Sequence, residues 1–257
     1  MPLRRRDVMT TLAAGAVFGL ARQVEARAQP AGRVRNVVLA HGLFADGSCW
    51  SEVIARLQAA GLNATAVQNP LTTLAEAAAS IHRVLERQDG PTVLVGHSFA
   101  GVLMSETGLH PKVASLVYVA ARAPDAGEDY AALAELFPTP PAGAGIVFDA
   151  DEGRLTETAF LRDFAGDLPA ERARVLYAVQ QPFRRSLTAE RTTAAAWKAR
   201  PSFYAVSTED RTIDPDLQRF MAGRMKARTI EVQASHLSPI SRPKQIAALV
   251  LEATRVA

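Results

Sequence analysis

From Arg35 onward, short apolar runs alternate with amphipathic stretches of helical period, and few architectures accept that pattern. The runs NVVLA (36–40), NATAVQ (63–68), TVLV (92–95), VASLVYVAA (113–121), SFYAVST (202–208) and TIEVQA (229–234) read as strands. Between the early runs, Trp50, Val53, Ile54 and Leu57 recur at helical spacing and Gly61 closes that segment. Thr73 with Glu76 forms a capping box ahead of Leu74, Ala78, Ile81 and Leu85, and Asp89-Gly90-Pro91 ends that helix. Further helices are expected from the turn after Val95 to about Leu109, from about Asp216 to Lys226, and from Pro243 to about Ala253. Strands and helices in this order require an α/β fold, a parallel sheet with helices on both faces.

With 257 residues and 48% hydrophobic content the chain can bury one large core, and a single domain is expected over 29–257. The alternation fails between about 122 and 200, where Pro138, Pro140, Pro141, Gly143 and Gly145 mark a loop and GIVFDADEGRLTET suggests a hairpin about Asp151 to Gly153. An interruption of about 80 residues must carry structure of its own, and a lid over a site is expected. Its Tyr130, Phe137, Phe148, Phe160, Phe183 and Trp197 either line an apolar pocket or fasten the lid to the core.

Residues 1–28 are set apart as an export signal, with a basic start, an apolar stretch from Val8 to Ala21, and Ala26-Arg27-Ala28 as a cleavage site. The apolar stretch is short of the ~20 residues that span a membrane, so no stable span is expected in the mature protein, which is placed in the periplasm. Arg5-Arg6 followed by Asp7, Val8 and Met9 resembles a twin-arginine signal, with Arg4 where Ser or Thr is usual. The same leader accounts for the basic balance: it holds five arginines against Asp7 and Glu25, while the whole chain has 29 basic and 26 acidic residues. The remainder is formally neutral, which with no basic cluster interleaved with aromatics argues against a nucleic-acid partner. Cys49 is the only cysteine, so no internal disulfide can form, and it reads as a small core residue beside Trp50.

The strand TVLV runs directly into Gly96-His97-Ser98-Phe99-Ala100, a nucleophile elbow of G-x-S-x-G type with Ala in the last place and Gly101 following. A serine at such an apex is a weak nucleophile until a base takes its proton, and the base must be oriented by an acid. His236 alone among the five histidines stands in a loop just beyond a late strand. The preceding strand ends in STEDRTIDP, where we take Asp210 as the acid and Glu209, Asp214 and Asp216 as surface groups. The amide of Phe99, at a helix start, and the amide of Leu43, in the loop LAHGLFADGSCW after the first strand, supply an oxyanion hole. Gly42 permits close approach of the backbone to a substrate, and His41 reads as a group that fixes the loop. No metal cluster, phosphate loop or dinucleotide fingerprint is present, so neither cofactor nor metal is expected.

HGLFADGSCW, AVQNPLTTL, VLVGHSFAGV, VYVAARAPDAGE and STEDRTIDPDLQRFMA resemble the blocks of the α/β-hydrolase superfamily, in particular bacterial esterases like salicylate esterase, akin to plant methylesterases and hydroxynitrile lyases. The resemblance spans essentially the whole of the chain after residue 28. It implies an α/β-hydrolase fold with the chain order Ser98, Asp210, His236, and hydrolysis of a small-molecule carboxylic ester through an acyl-enzyme. The lyases carry Lys directly after the histidine and Thr in the first oxyanion loop, whereas this chain has Leu237 and Gly42, which implies ester hydrolysis over cyanohydrin cleavage. An acyltransferase or C–C lyase on the same three residues, or a small-molecule binding protein that keeps the fold without turnover, are the alternatives.

Overall fold

The computed structural model describes residues 34–256, so the expected signal at 1–28 lies outside the described residues. Strand β1 (Asn36–Ala40) leads through a short 3-10 turn into helix α1 (Ser51–Ala59), then β2 (Asn63–Val67), α2 (Leu74–Glu86), β3 (Thr92–His97), α3 (Ala100–Thr107) and β4 (Val113–Val119). Every residue of β1 and β3 is buried, which is what sequence runs without polar alternation demand of strands covered on both faces. Helix α2 presents Leu74, Ala77, Ile81, Val84 and Leu85 to the core. Fully buried residues such as Leu57 and Ile81 each contribute roughly 1.5 to 3 kcal/mol relative to exposure.

The start of α2 departs from the expected capping box. The Thr73 hydroxyl accepts from the Glu76 amide at 3.2 Å, but the Glu76 carboxylate accepts from the Thr72 hydroxyl, so only half of the reciprocal pair forms. Strand β4 also stops at Val119, two residues short of expectation, because Ala120 turns into the left-handed region at φ 44°.

The insertion holds α4 (Tyr130–Ala134), strands β5 (Ile146–Asp149) and β6 (Glu152–Leu155), and α5 (Glu157–Ala159) running into a π-helical turn over Phe160–Phe164. Helix α6 (Ala170–Ala178) follows, and β7 (Phe183–Arg184) completes a three-stranded sheet in the order β5-β6-β7. Asp149 pairs with Glu152, so the hairpin turns at Ala150 and Asp151, earlier than expected, with Ala150 at φ 50°. Gly153 belongs to β6 instead of the turn, for a side chain there would strike the rings of Phe183 and Phe148 at 2.5 and 2.7 Å.

The chain returns to the main sheet with β8 (Ser202–Ser207), α7 (Pro215–Arg224) and β9 (Arg228–Val232), and ends with α8 (Ser238–Ser241), which the sequence did not signal, and α9 (Pro243–Ala253). The main sheet runs β2-β1-β3-β4-β8-β9 with every pairing parallel. Helix α1 packs against α9, and α2 against α3. Because β1 pairs with β2 on one side and β3 on the other, the chain reverses direction across the sheet there, and the loops leaving β1 and β3 part to leave a crevice at their carboxyl ends. No helix of the described residues is long and apolar enough to cross a membrane.

Candidate active site

Ser98 stands at the crevice, immediately after β3, with φ 57°. A β-carbon in the left-handed region is strained, and the strain persists here because the surroundings over-determine it. The Ser98 amide donates to Val119 O at 3.2 Å, and its carbonyl accepts from Gly101 N at 3.1 Å and Arg122 N at 3.0 Å. The glycines around it are steric requirements. A β-carbon at Gly96 would meet Met104 Sδ at 2.3 Å, and one at Gly101 would lie 1.8 Å from the Arg122 carbonyl oxygen. Ala100, in the place of the motif's last glycine, fits fully buried at the first turn of α3.

The loop after β9 brings His236 to this apex. The Ser98 hydroxyl donates to His236 Nε2 at 2.8 Å, and His236 Nδ1 donates to Asp210 Oδ2 at 2.6 Å. The three residues chosen from the sequence therefore form one continuous hydrogen-bonded chain, with Asp210 placed just past β8. His236 is fully buried, Asp210 is 5% exposed and Ser98 6%. Burial of the Asp210 carboxylate is offset by four donors: the amides of Thr212 (2.7 Å) and Ile213 (3.0 Å) to Oδ1, and Gln218 Nε2 (2.8 Å) with His236 to Oδ2. Glu209 instead accepts from Gln233, and Asp214 and Asp216 serve α7, Asp214 as its N-cap and Asp216 as a partner of Arg219.

Two groups that sequence reasoning passed over hold this arrangement. Gln218 is fully buried on α7; besides Asp210 it donates to Ile213 O at 2.9 Å and accepts from the Ser207 amide at 3.0 Å, tying the acid loop to β8 and α7. An amide on the same buried face as Leu217, Met221 and Ala222 was the signal available. His97 is fully buried and its Nε2 donates to the His236 carbonyl at 2.9 Å, fixing the backbone that carries the imidazole. Burial, reinforced by the neighbouring His236, holds His97 well below the ordinary histidine range, so it acts as a neutral donor. A histidine inside a wholly buried strand demands such a partner.

The loop after β1 packs on the elbow. A β-carbon at Gly42 would sit 2.5 Å from Ser98 Cβ and 3.1 Å from Phe99 N, so the glycine is there to let loop and elbow meet, not only to admit a substrate. Leu43 follows, with Phe44 at φ 61°. Among the described residues, the amides of Leu43 and Phe99 donate to no other group. His41 Nδ1 donates to Gly42 O at 2.9 Å and Nε2 accepts from Asn69 N at 3.2 Å, which fastens the loop to the end of β2, and burial lowers its pKa. Cys49 is buried and its thiol is pushed far up by burial.

The insertion covers the crevice. The Phe164 ring lies 5.1 Å from that of His236, and the π turn is joined to the acid loop by Thr212 Oγ1 donating to Asp163 O at 3.4 Å. The Asp163 carboxylate, with its side chain fully buried, takes bonds from Arg162 and Arg211, which together hold it below the usual carboxylate range. Beneath the insertion lies a cavity of about 410 Å³ whose wall includes Leu43, Phe44, Arg122, Tyr130, Phe148 and Phe183. The insertion's aromatics thus divide: Tyr130, Phe148 and Phe183 line the cavity, whereas Phe160 packs on Phe164 and Trp197 donates Nε1 to Pro124 O at 3.0 Å.

The profile of the alpha/beta hydrolase family matches residues 37–249. The chain belongs to that family. This hydrolase is 25% identical to the pyrethroid hydrolase of Sphingobium wenxiniae over 85% of its own length and 87% of the relative's. It is 26% identical to methylesterase 7 of Arabidopsis thaliana, covering 85% and 95%. The solved structure of a pyrethroid hydrolase from Sphingobium faniae superposes with a TM-score of 0.72 at 21% identity, covering 86% of this chain and 98% of that one, and shares its fold. The hydrolase therefore falls in the esterase group whose blocks its sequence resembles, and its parallel sheet with helices is the α/β-hydrolase fold. Among its described residues no group of three or more His, Cys, Asp or Glu side chains is arranged to hold a metal ion.

Proposed function

We propose that this α/β-hydrolase is a serine carboxylesterase acting on small-molecule esters. The observation that carries it is the hydrogen-bonded chain Ser98–His236–Asp210 at a strained elbow. His236 Nε2 takes the Ser98 proton as Oγ attacks the ester carbonyl, and Asp210 holds the imidazole with Nδ1–H toward itself and stabilises the imidazolium. The tetrahedral oxyanion is received by the amides of Leu43 and Phe99, each such donor supplying roughly 2.7 to 4 kcal/mol. Collapse expels the alcohol, which takes the proton from His236 and leaves an acyl group on Ser98. A water deprotonated by the same imidazole then releases the acid. The esterase names of the relatives support this reading, and so does a cavity of about 410 Å³, within the size range of small-molecule sites. Leu237, buried beside His236, offers no charge for cyanohydrin chemistry.

The test is turnover of a panel of esters graded by acyl length and by aromatic or aliphatic alcohol, with products measured in the presence and absence of added alcohol. Acid and alcohol are expected in equal amounts, with an initial burst of phenol from an activated aryl ester equal to the enzyme concentration. Transfer of the acyl group to the added alcohol in preference to water would make the protein an acyltransferase, and no turnover across the panel would remove the esterase reading. Residues 1–28, read as a leader from Arg4–Arg6, the apolar stretch and Ala26-Arg27-Ala28, are proposed to direct export to the periplasm. Amino-terminal sequencing of the protein from its native host is then expected to begin at or near Gln29, and cytoplasmic protein retaining Met1 would contradict export.

A further inference from the structure

Arg122 is a cation that the mechanism above does not use. It follows β4 by three residues, its amide donates to Ser98 O at 3.0 Å, and its side chain forms part of the wall of the 410 Å³ cavity. The guanidinium lies 4.5 Å from the centre of the Tyr130 ring and 5.6 Å from that of Phe99, so two rings fix its position beside the elbow. Among the described residues its Nε is shut off from solvent without a hydrogen-bond partner, and its guanidinium forms no ion pair.

The contrast with the other arginines of this region is chemical. Arg224 reaches both oxygens of Glu128 at 2.7 Å, and Arg162 and Arg211 share Asp163. Tyr130 does not supply the missing anion: burial pushes its phenol up to about 12, so it offers a ring face and not a negative charge. Glu135, the carboxylate that does line the cavity, is exposed and forms no ion pair with Arg122. Arg122 is partly buried, with only its Nε shut off from solvent, so the guanidinium in the cavity wall is left to pair with an anion that enters the site. Its planar fork suits a carboxylate through two parallel hydrogen bonds.

We propose that Arg122 is the specificity-determining residue of the cavity, and that the substrate is an ester bearing a second, ionised carboxylate which the guanidinium holds beside the Ser98 elbow. This rests on the esterase reading. It goes beyond it in naming the substrate class, an ester with a free carboxylate on the part that fills this cavity.

The test compares matched esters with the carboxylate on either side of the scissile bond. The acyl-side pair is 4-nitrophenyl hydrogen glutarate against 4-nitrophenyl valerate; the alcohol-side pair is 4-acetoxybenzoate against 4-acetoxybenzamide. In at least one pair, the ratio of kcat/KM for the charged over the neutral ester is expected to fall roughly ten- to a hundredfold in Arg122→Met, the range of a charge-assisted hydrogen bond, with Arg122→Lys intermediate. Should Arg122→Met fail to fold, Arg122→Lys is read alone and a lowered ratio is still required. A ratio unchanged in both pairs would overturn the proposal. If the wild type hydrolyses none of the four esters, the esterase reading is decided by the wider panel and the carboxylate site by melting temperature. Free glutarate or benzoate raising it in the wild type and not in the Arg122 variant supports the site, and no shift in the wild type overturns it.

Discussion

Ser98→Ala is expected to reduce kcat for an activated aryl ester by about a millionfold, the scale seen when the nucleophile of a cooperating triad is removed. The residual rate would come from the amides of Leu43 and Phe99 and from binding in the cavity, which the substitution leaves in place. The fold should survive, because what holds residue 98 at φ 57° is its backbone, through bonds to Val119, Gly101 and Arg122, and not its hydroxyl. Circular dichroism and melting temperature therefore serve as controls, and kcat on the purified variant is the readout. A variant retaining a tenth of the activity would move the nucleophile elsewhere.

Asp210→Asn should cost about ten-thousandfold in kcat through a different physical route. Asp210 Oδ2 accepts from two donors, Gln218 Nε2 and His236 Nδ1. An asparagine keeps one oxygen, and the amides of Thr212 and Ile213 claim it. Its NH2 would then face two other donors. The imidazole escapes by moving its proton to Nε2, which puts an N–H against Ser98 where a lone pair is needed, while Gln218 is left with an unsatisfied donor and the protein loses about 1 to 3 kcal/mol of stability. The paired signature, lost kcat together with a lowered melting temperature, separates this from Ser98→Ala, which affects kcat alone. Near-normal turnover in Asp210→Asn would contradict the orienting role.

The parallel sheet was legible because strands buried on both faces leave uninterrupted apolar runs, and β1, β3 and β8 show them. Residues 122–200 were legible as an insertion but not in detail. Strand β7 has two residues and α5 three, and a π turn follows α5 directly, all too short for periodicity to register. Positive φ at Ala120 and Ala150 ended a strand and moved a turn at alanines, a residue type that carries no turn signal. In the site, Ser98, His236 and Asp210 could be chosen because each follows a strand, in the chain order typical of α/β-hydrolases. His97 was missed because its partner, the His236 carbonyl, lies 139 residues along the chain, and Gln218 because its partners, though only 5 to 11 residues away, sit in a loop whose fold the sequence does not signal. Arg122 stood in a quoted block without a role, for what marks it is an Nε with no partner among the described residues, which only the fold displays.

The central claim is that Ser98 is the nucleophile activated by His236, and covalent trapping tests it most directly. The protein is treated with a fluorophosphonate, digested and analysed by peptide mass spectrometry, with Ser98→Ala and His236→Ala alongside. One label per chain is expected, on the peptide containing Ser98, absent in Ser98→Ala and strongly slowed in His236→Ala. Labelling at full rate without the imidazole, or a label on any other residue of the wild type, would contradict it.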